Sequence, residues 1–319
     1  MSAKSAIPPT KPFRGKKVLC TLLTILAILV ILIGVAGYFL LGYSPVPKTS
    51  TYQLDLAHIR QLAQAENSLL PVRLNALILA EGKMPQFVVF AGGGLQEMRM
   101  PVPVFQIVYP GGTVIVDTGM DKASFDQMFP GGSFSTESYD QLQSAMRHSQ
   151  TILLTHEHLD HIAGLAHSPY LDELLPKVIL TREQIGGLTP DTGLTPERLA
   201  RLTPLDYDPY HLVAPGLVLV KAAGHSPGSQ MVYLRLQNGN EFLLVGDVVW
   251  NMESLARLRG RPLFISLLLQ EDRSATQNQL RTLYDLSQSE PVHLLISHDY
   301  EQIESYIQPG LVGGGFDSD

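Results

Sequence analysis

Thiols are almost missing from this chain. Among 319 residues there is one cysteine, Cys20, so no internal disulfide can form and no thiolate cluster can hold a metal. Stability must come from a packed core. Tryptophan is as scarce, with Trp250 alone. Basic charge is also short: 23 Lys and Arg face 30 Asp and Glu, for a formal net charge of −7. Five of the bases (Lys4, Lys11, Arg14, Lys16 and Lys17) fall within the first seventeen residues, where there is no acid. Beyond them 18 bases meet all 30 acids, leaving −12. A polyanion needs a basic surface, so no nucleic-acid partner is expected and a small molecule is the expected one.

Charge of either sign is absent from residues 18–42, which are rich in Leu, Ile and Val. A membrane-spanning helix needs about 20 such residues. The bases ahead of the run place the N-terminus in the cytoplasm, with the remainder in the periplasm or outside the cell. The apolar core of a cleaved signal peptide is shorter, about 7–15 residues, and ends at a small-residue cleavage site. No clear site of that kind closes this run, so a retained single-pass anchor is expected. The chain then divides into a basic cytoplasmic segment (1–17), a transmembrane anchor (18–42) and a linker (43–69). Pro45 and Pro47 stiffen the linker, and a short amphipathic helix is predicted over 53–63. One domain (70–308) and a flexible tail (309–319) with three consecutive glycines complete the chain.

The chemistry gathers after a short apolar run at 150–155 that reads as a buried strand. It leads into Thr155-His156-Glu157-His158-Leu159-Asp160-His161, with four potential metal ligands in six positions. Imidazole and carboxylate suit zinc and related first-row metals. Three further strand-like runs end in similar residues. The run at 218–223 leads to His225 in Gly224-His225-Ser226-Pro227-Gly228-Ser229, and the run at 292–297 leads to His298. A hairpin over 231–236 and 241–245 delivers Asp247. A strand over 113–117 closes on Asp117-Thr118-Gly119. His58, His148, His167, His211 and His293 read as ordinary surface or core residues. Strands are also predicted at 72–79, 86–90, 104–109 and 177–180, and helices at 135–148 and 276–288. Strands that first meander and then alternate with helices suggest an α+β fold of two mixed sheets between helical layers.

In chain order, His156-x-His158-x-Asp160-His161, His225, Asp247 and His298 resemble the seven-ligand pattern of the metallo-β-lactamase superfamily, across roughly residues 70–308. Asp117-Thr118-Gly119 is similar to the strand-end Asp-Thr/Ser-Gly of that superfamily. The resemblance implies an αβ/βα four-layer sandwich with its ligand loops along one edge. It also implies two divalent metal ions, zinc ahead of iron or manganese. His156, His158 and His225 would hold the first, Asp160, His161 and His298 the second, and Asp247 would bridge them. Catalysis would fall to a metal-activated hydroxide with Asp160 and Asp247, while Asp117 would accept hydrogen bonds from behind the histidine loop.

Several branches of that superfamily fit poorly. Without a cysteine in the domain, the β-lactamases with a cysteine ligand are excluded. The antibiotic-hydrolysing branch with a full histidine loop lacks a bridging aspartate. The redox flavo-diiron proteins carry an acid where His158 stands. The hydroxyacylglutathione-hydrolase (glyoxalase II-like), lactonase and phosphodiesterase-like group remains, and the turn at Gly224–Ser229 is similar to theirs. Ser297-His298-Asp299 resembles a segment of the N-acyl homoserine lactonases. Those enzymes place a tyrosine three residues after the bridging aspartate, where this chain has Trp250. The expectation is hydrolysis of an ester, thioester or lactone. The alternatives are phosphodiester hydrolysis at the same site, an iron-dependent sulfur dioxygenase, and a non-catalytic metal-binding module of the envelope. Phe134, Trp250, Met252 and Phe264 are candidate pocket residues.

Overall fold

A computed structural model describes residues 14–317. Most of the basic segment expected at 1–17, Lys4 and Lys11 included, lies outside the described residues, as do the last two residues of the expected tail. The strands, in chain order, are β1 (Arg73–Pro85), β2 (Glu97–Tyr109), β3 (Gly112–Val116), β4 (Ser133–Phe134), β5 (Thr151–Leu153) and β6 (Val178–Ile179). They continue as β7 (Tyr210–Ala214), β8 (Leu217–Lys221), β9 (Gln230–Arg235), β10 (Glu241–Leu244), β11 (Val292–Leu295) and β12 (Gly313–Gly314). One sheet runs β12-β1-β2-β3-β5-β6, with β4 also on β1, and the other runs β11-β10-β9-β8-β7. Both are mixed: β3 pairs with β5 and β10 with β11 in parallel, while the hairpins are antiparallel.

Strand periodicity explains the layering. From the second sheet, Leu217, Leu219, Val232, Leu234, Phe242 and Leu244 point inward against Leu74, Phe105, Ile107, Val114 and Val116 of the first. The alternate residues Val218, Val220, Met231, Tyr233 and Leu243 face outward, yet they are buried too, under Leu280, Leu283 and Leu286 of the helix Arg273–Ser289. On the other side, Leu79, Val104, Ile115 and Ile152 are covered by Leu142 and Met146 of the helix Thr136–His148 and by Ile162 and Leu165 of the helix Leu159–Ala166. The result is the expected helix–sheet–sheet–helix sandwich. Burial on both faces is why these strands read as continuous apolar runs rather than alternating ones.

Three expectations change. Residues 86–90 form a helix, Gln86–Val89, not a strand. Pro85 ends β1, and the Phe87 N–H donates back to the Gly94 carbonyl, so the apolar run folds over a glycine turn. β7 was not foreseen, because its burial is only partial and its sequence carries no clean alternation.

The amphipathic helix expected within 43–69 forms and packs on the domain. Asp55 caps the helix Leu56–Leu62, and Leu56, Ile59 and Ala63 complete the outer core of the second sheet. Arg60 pairs with Glu241 at 2.7 Å and with Glu290 at 3.0 Å. An apolar stripe on so short a helix needs a surface to cover. Residues 310–317, by contrast, are no free tail. β12 pairs with β1, the Gly315 N–H donates to the Ala76 carbonyl, and Val312 and Phe316 are buried. Glycine at 313 permits the approach, since a β-carbon there would collide with Asn75.

The N-terminal helix Arg14–Gly37 continues through a π-helical turn, Tyr38–Gly42. By length and composition Lys17–Gly42 can cross a membrane, and none of it is buried within the protein.

Ile59 is fully buried, so Ile59→Ala should cost about 2–5 kcal/mol. Urea unfolding followed by circular dichroism measures this, and an unchanged midpoint would mean that the helix Leu56–Leu62 adds nothing to the fold.

Candidate metal centre

Five strand ends meet at one edge of the sandwich. β3 runs into Asp117, β5 into the histidine loop, β8 into His225, β10 into Asp247 and β11 into His298. The turn after β3 is strained: Asp117 has φ 60°, which a residue with a β-carbon rarely adopts. The strain aims its carboxylate under the histidine loop. There it accepts from the Thr155 N–H at 2.7 Å, the Thr155 hydroxyl at 2.9 Å and His161 Nδ1 at 2.9 Å. Gly246, with φ 53°, passes so close to Thr155 that a side chain would strike it.

All seven residues singled out from the sequence come together, in two groups. Ligand atoms of His156, His158 and His225 lie within 4.8 Å of one another, and so do those of Asp160, His161, Asp247 and His298. Asp247 faces both groups. Its Oδ2 lies 3.4 Å from His225 Nε2 and 3.9 Å from His156 Nε2. Its Oδ1 lies 3.3 Å from His161 Nε2 and 3.2 Å from His298 Nε2. Asp160 Oδ2 stands 3.5 Å from His298 Nε2 and 3.8 Å from His161 Nε2.

The far side of each ring shows what the near side offers. His161 Nδ1 donates to Asp117, His225 Nδ1 to Glu271 at 2.6 Å, and His298 Nδ1 to the Pro101 carbonyl at 2.8 Å. His156 Nδ1 lies 3.2 Å from the Thr155 hydroxyl, whose own proton goes to Asp117. In the neutral tautomer these four rings therefore turn Nε2 lone pairs inward, while His158 presents Nδ1, 2.9 Å from His225 Nε2. His156 Nε2, His161 Nε2 and Asp247 Oδ1 are buried with no hydrogen-bond partner. Buried polar atoms without partners are costly, and imidazole nitrogens converging with carboxylate oxygens suit a divalent cation.

Charge is distributed unevenly. Burial drives the His156 pKa well below the usual histidine value, and the neighbouring His161 adds to the effect. Burial also lowers His225, to about 4, against the pull of Glu271. His161 goes the other way: burial opposes its charged form, but Asp117, Asp247 and Asp160 together raise its pKa well above normal. His298 is raised against burial by Asp247 and Asp160. Burial favours a protonated Asp247, yet His298, His161 and His156 keep it ionised.

Three supporting residues were not foreseen in these roles. Glu271 is wholly buried and takes both His225 Nδ1 and, at 2.5 Å, Arg261 Nη2. Burial would raise its pKa, but Arg261 and His225 bring it to about 2. Arg261 Nη1 also donates to the Asp247 carbonyl at 2.9 Å, so one buried ion pair ties two of the loops together. No spacing in the sequence marks either residue. Glu157, inside the histidine loop, accepts from the Ser226 hydroxyl and the Gly228 N–H. Its place between two histidines was the available clue. Of the candidate pocket residues, Trp250 lines the cavity beside the histidines, and its Nε1 donates to Asp247 Oδ2 at 2.7 Å. Phe134 packs against Phe125 and Phe264 against Phe87, while Met252 faces a different cavity. The histidine-side cavity holds about 360 Å³, and Met84, Met100, Met128, Phe129, Leu159 and Leu269 form its apolar wall.

A family model described as "Metallo-beta-lactamase superfamily" matches residues 99–298. Among solved structures, an N-acyl homoserine lactone hydrolase with the product N-hexanoyl-L-homoserine at its catalytic metal center is 18% identical. It aligns with a TM-score of 0.59 over 74% of this chain and 97% of that one. A probable metal-dependent hydrolase from Staphylococcus aureus is 15% identical, with a TM-score of 0.55 over 72% and 90% of the two chains. A dizinc quorum-quenching lactonase is 14% identical, at 0.52 over 73% and 90%. At these identities the likeness carries the fold alone. No curated protein matches the chain.

Glu271→Ala would leave the Arg261 guanidinium buried without a counter-charge. The expected cost is about 3–5 kcal/mol, measurable as a lowered denaturation midpoint of metal-free protein. A midpoint within error of the parent would show that the ion pair does not brace the loops.

Proposed function

Since the chain belongs to the metallo-beta-lactamase superfamily, we propose that it is a membrane-anchored hydrolase that uses two divalent metal ions to cleave an ester, thioester or lactone. The supporting observation is the division of Asp247, with one carboxylate oxygen toward each group of histidines. In this proposal His156, His158 and His225 hold one ion, Asp160, His161 and His298 the other, and Asp247 reaches both. Zinc is the first choice, with iron or manganese also compatible with nitrogen and oxygen ligands. Bound there, such ions would supply Lewis acidity and a water nucleophile ionised near neutral pH.

The protein's own residues do the rest. Asp117, Glu271 and the Pro101 carbonyl fix the ring orientations, so the Nε2 atoms need little reorganisation. Trp250 holds Asp247 Oδ2 and leaves Oδ1 to the second group. Asp160 is the most accessible of the carboxylates and opens on the cavity, which suits it to take the proton of the attacking water and pass it to the departing alkoxide or thiolate. The methionine and leucine wall excludes water and accepts an apolar acyl portion. Among the described residues lining this cavity there is no Lys or Arg. A phosphodiester would find no cationic side chain there, which favours a neutral carbonyl substrate. The Trp250 N–H is engaged by Asp247, so it does not replace the tyrosine of the N-acyl homoserine lactonases. The anchor is the helix over 18–42, with the catalytic domain in the periplasm or outside the cell.

Two outcomes follow. Metal analysis of the purified full chain should give two ions. Asp247→Ala should lose at least one of them and most of the hydrolysis across an ester, thioester and lactone panel. Full metal content in that variant, or turnover of phosphodiesters alone, would reject the assignment.

The second outcome concerns protons. The neighbouring carboxylates raise the pKa of His161 and His298, so these rings hold their protons more tightly in metal-free protein and must shed them to ligate. Zinc binding should therefore release protons, and apparent affinity should fall as pH falls. Calorimetry in buffers of different ionisation enthalpy reads this directly. Equal heats in all buffers would contradict it.

A further inference from the structure

The end of the apolar N-terminal helix is fastened to the domain beside the mouth of the cavity. The Gly92 N–H donates to the Leu41 carbonyl at 2.8 Å, and the Gly260 N–H donates to the Ser44 hydroxyl at 2.9 Å. The Arg273 guanidinium reaches the Tyr43 carbonyl. The π-helical turn Tyr38–Gly42 packs on the helices Gln86–Val89 and Leu263–Leu268. No loose tether separates helix from domain, because Ser50 is already bonded to Asn278 of the helix Arg273–Ser289.

Tyr38, Phe39 and Tyr43 cluster at this junction with exposed rings. Aromatic residues of this kind concentrate at the level of lipid headgroups. If 18–42 spans a bilayer, the headgroup layer then lies at the junction itself.

The segments bonded to this junction carry large exposed apolar side chains. Leu267 is 64% exposed, Leu268 72% and Leu95 84%. Phe87 and Phe264 join their two segments through a ring contact. Leu269, next in sequence, lines the histidine-side cavity. Met128, also exposed, lines it as well. The apolar rim is therefore continuous with the apolar cavity wall, and it leaves the domain on the side where the helix does.

We propose that Leu95, Leu267 and Leu268 seat this rim in the headgroup layer of the bilayer, so that the cavity receives acyl-bearing amphiphiles from the membrane rather than from water. Buried apolar area stabilises such seating, as it does for interfacial helices. The proposal rests on residues 18–42 being a retained membrane anchor and adds the orientation of the domain and the substrate class.

The test uses the full chain with Cys20→Ser, which removes the lone thiol. Single cysteines replace Leu268, Leu95 or Asn238, and each is labelled with an environment-sensitive dye. Asn238 is exposed in the turn between β9 and β10, at the end of those strands away from the histidines. The protein is reconstituted into phosphatidylcholine vesicles containing a lipid with a nitroxide near its headgroup.

Dyes at 268 and 95 should be quenched several-fold more strongly than the dye at 238. Equal quenching at all three positions in vesicle-bound protein would overturn the seating and leave the anchor standing. Failure of the full chain to float with vesicles would overturn the anchor and the seating together. A second arm compares the double variant Leu267→Glu, Leu268→Glu with the parent. Activity on a short water-soluble ester should be unchanged, and activity on a long-chain ester held in the vesicles should fall several-fold. An equal effect on both substrates would overturn delivery from the bilayer.

Discussion

A buried carboxylate set among imidazoles governs this molecule. Asp247 is ionised in a place where charge is expensive, and only the surrounding rings and the Trp250 N–H offset its burial. To serve two groups at once it must sit where five strand ends converge. The two-sheet sandwich, whose inner core joins Leu219, Val232 and Phe242 to Phe105 and Val114, fixes that point. The left-handed turn at Asp117 and the close pass of Gly246 under Thr155 are local costs of the same convergence. They persist because carboxylate, threonine and histidine are bonded to one another there.

The bracing is asymmetric. Asp117 supports the group containing Asp160 and His161, and Glu271 supports the group containing His225. Burial lowers the pKa of His156 and His225, whereas the neighbouring carboxylates raise that of His161 and His298. A cation would therefore compete with protons more strongly at His161 and His298 than at His156 and His225. Arg261 couples them mechanically by holding both Glu271 and the backbone of Asp247.

Much of this was legible in the amino-acid sequence because strand ends and clustered ligands leave a local signature. The histidine loop, His225, Asp247 and His298 each follow an apolar run, and Asp117 closes another. The helices Thr136–His148 and Arg273–Ser289 were visible from periodicity, and their first turns are capped by Ser135 and Asp272. What stayed hidden depends on contacts between distant segments. Glu271 and Arg261 are single charges with no spacing rule, and they matter only once packed beneath His225. The amphipathic helix expected over 53–63 forms and packs on the domain, whereas the strand β12 looked like a trailing segment, because the strand it pairs with lies far away in the chain. Residues 86–90 have a strand's composition, but Pro85 and the glycines after them decide the matter.

In the proposed centre Asp247 stands between two cations. Crystals of zinc-loaded protein measured at the zinc absorption edge test it most directly. Two anomalous peaks are expected, one beside His156, His158 and His225 and the other beside Asp160, His161 and His298, with one oxygen of Asp247 toward each. A single peak, or two peaks on the same side of that carboxylate, would contradict it.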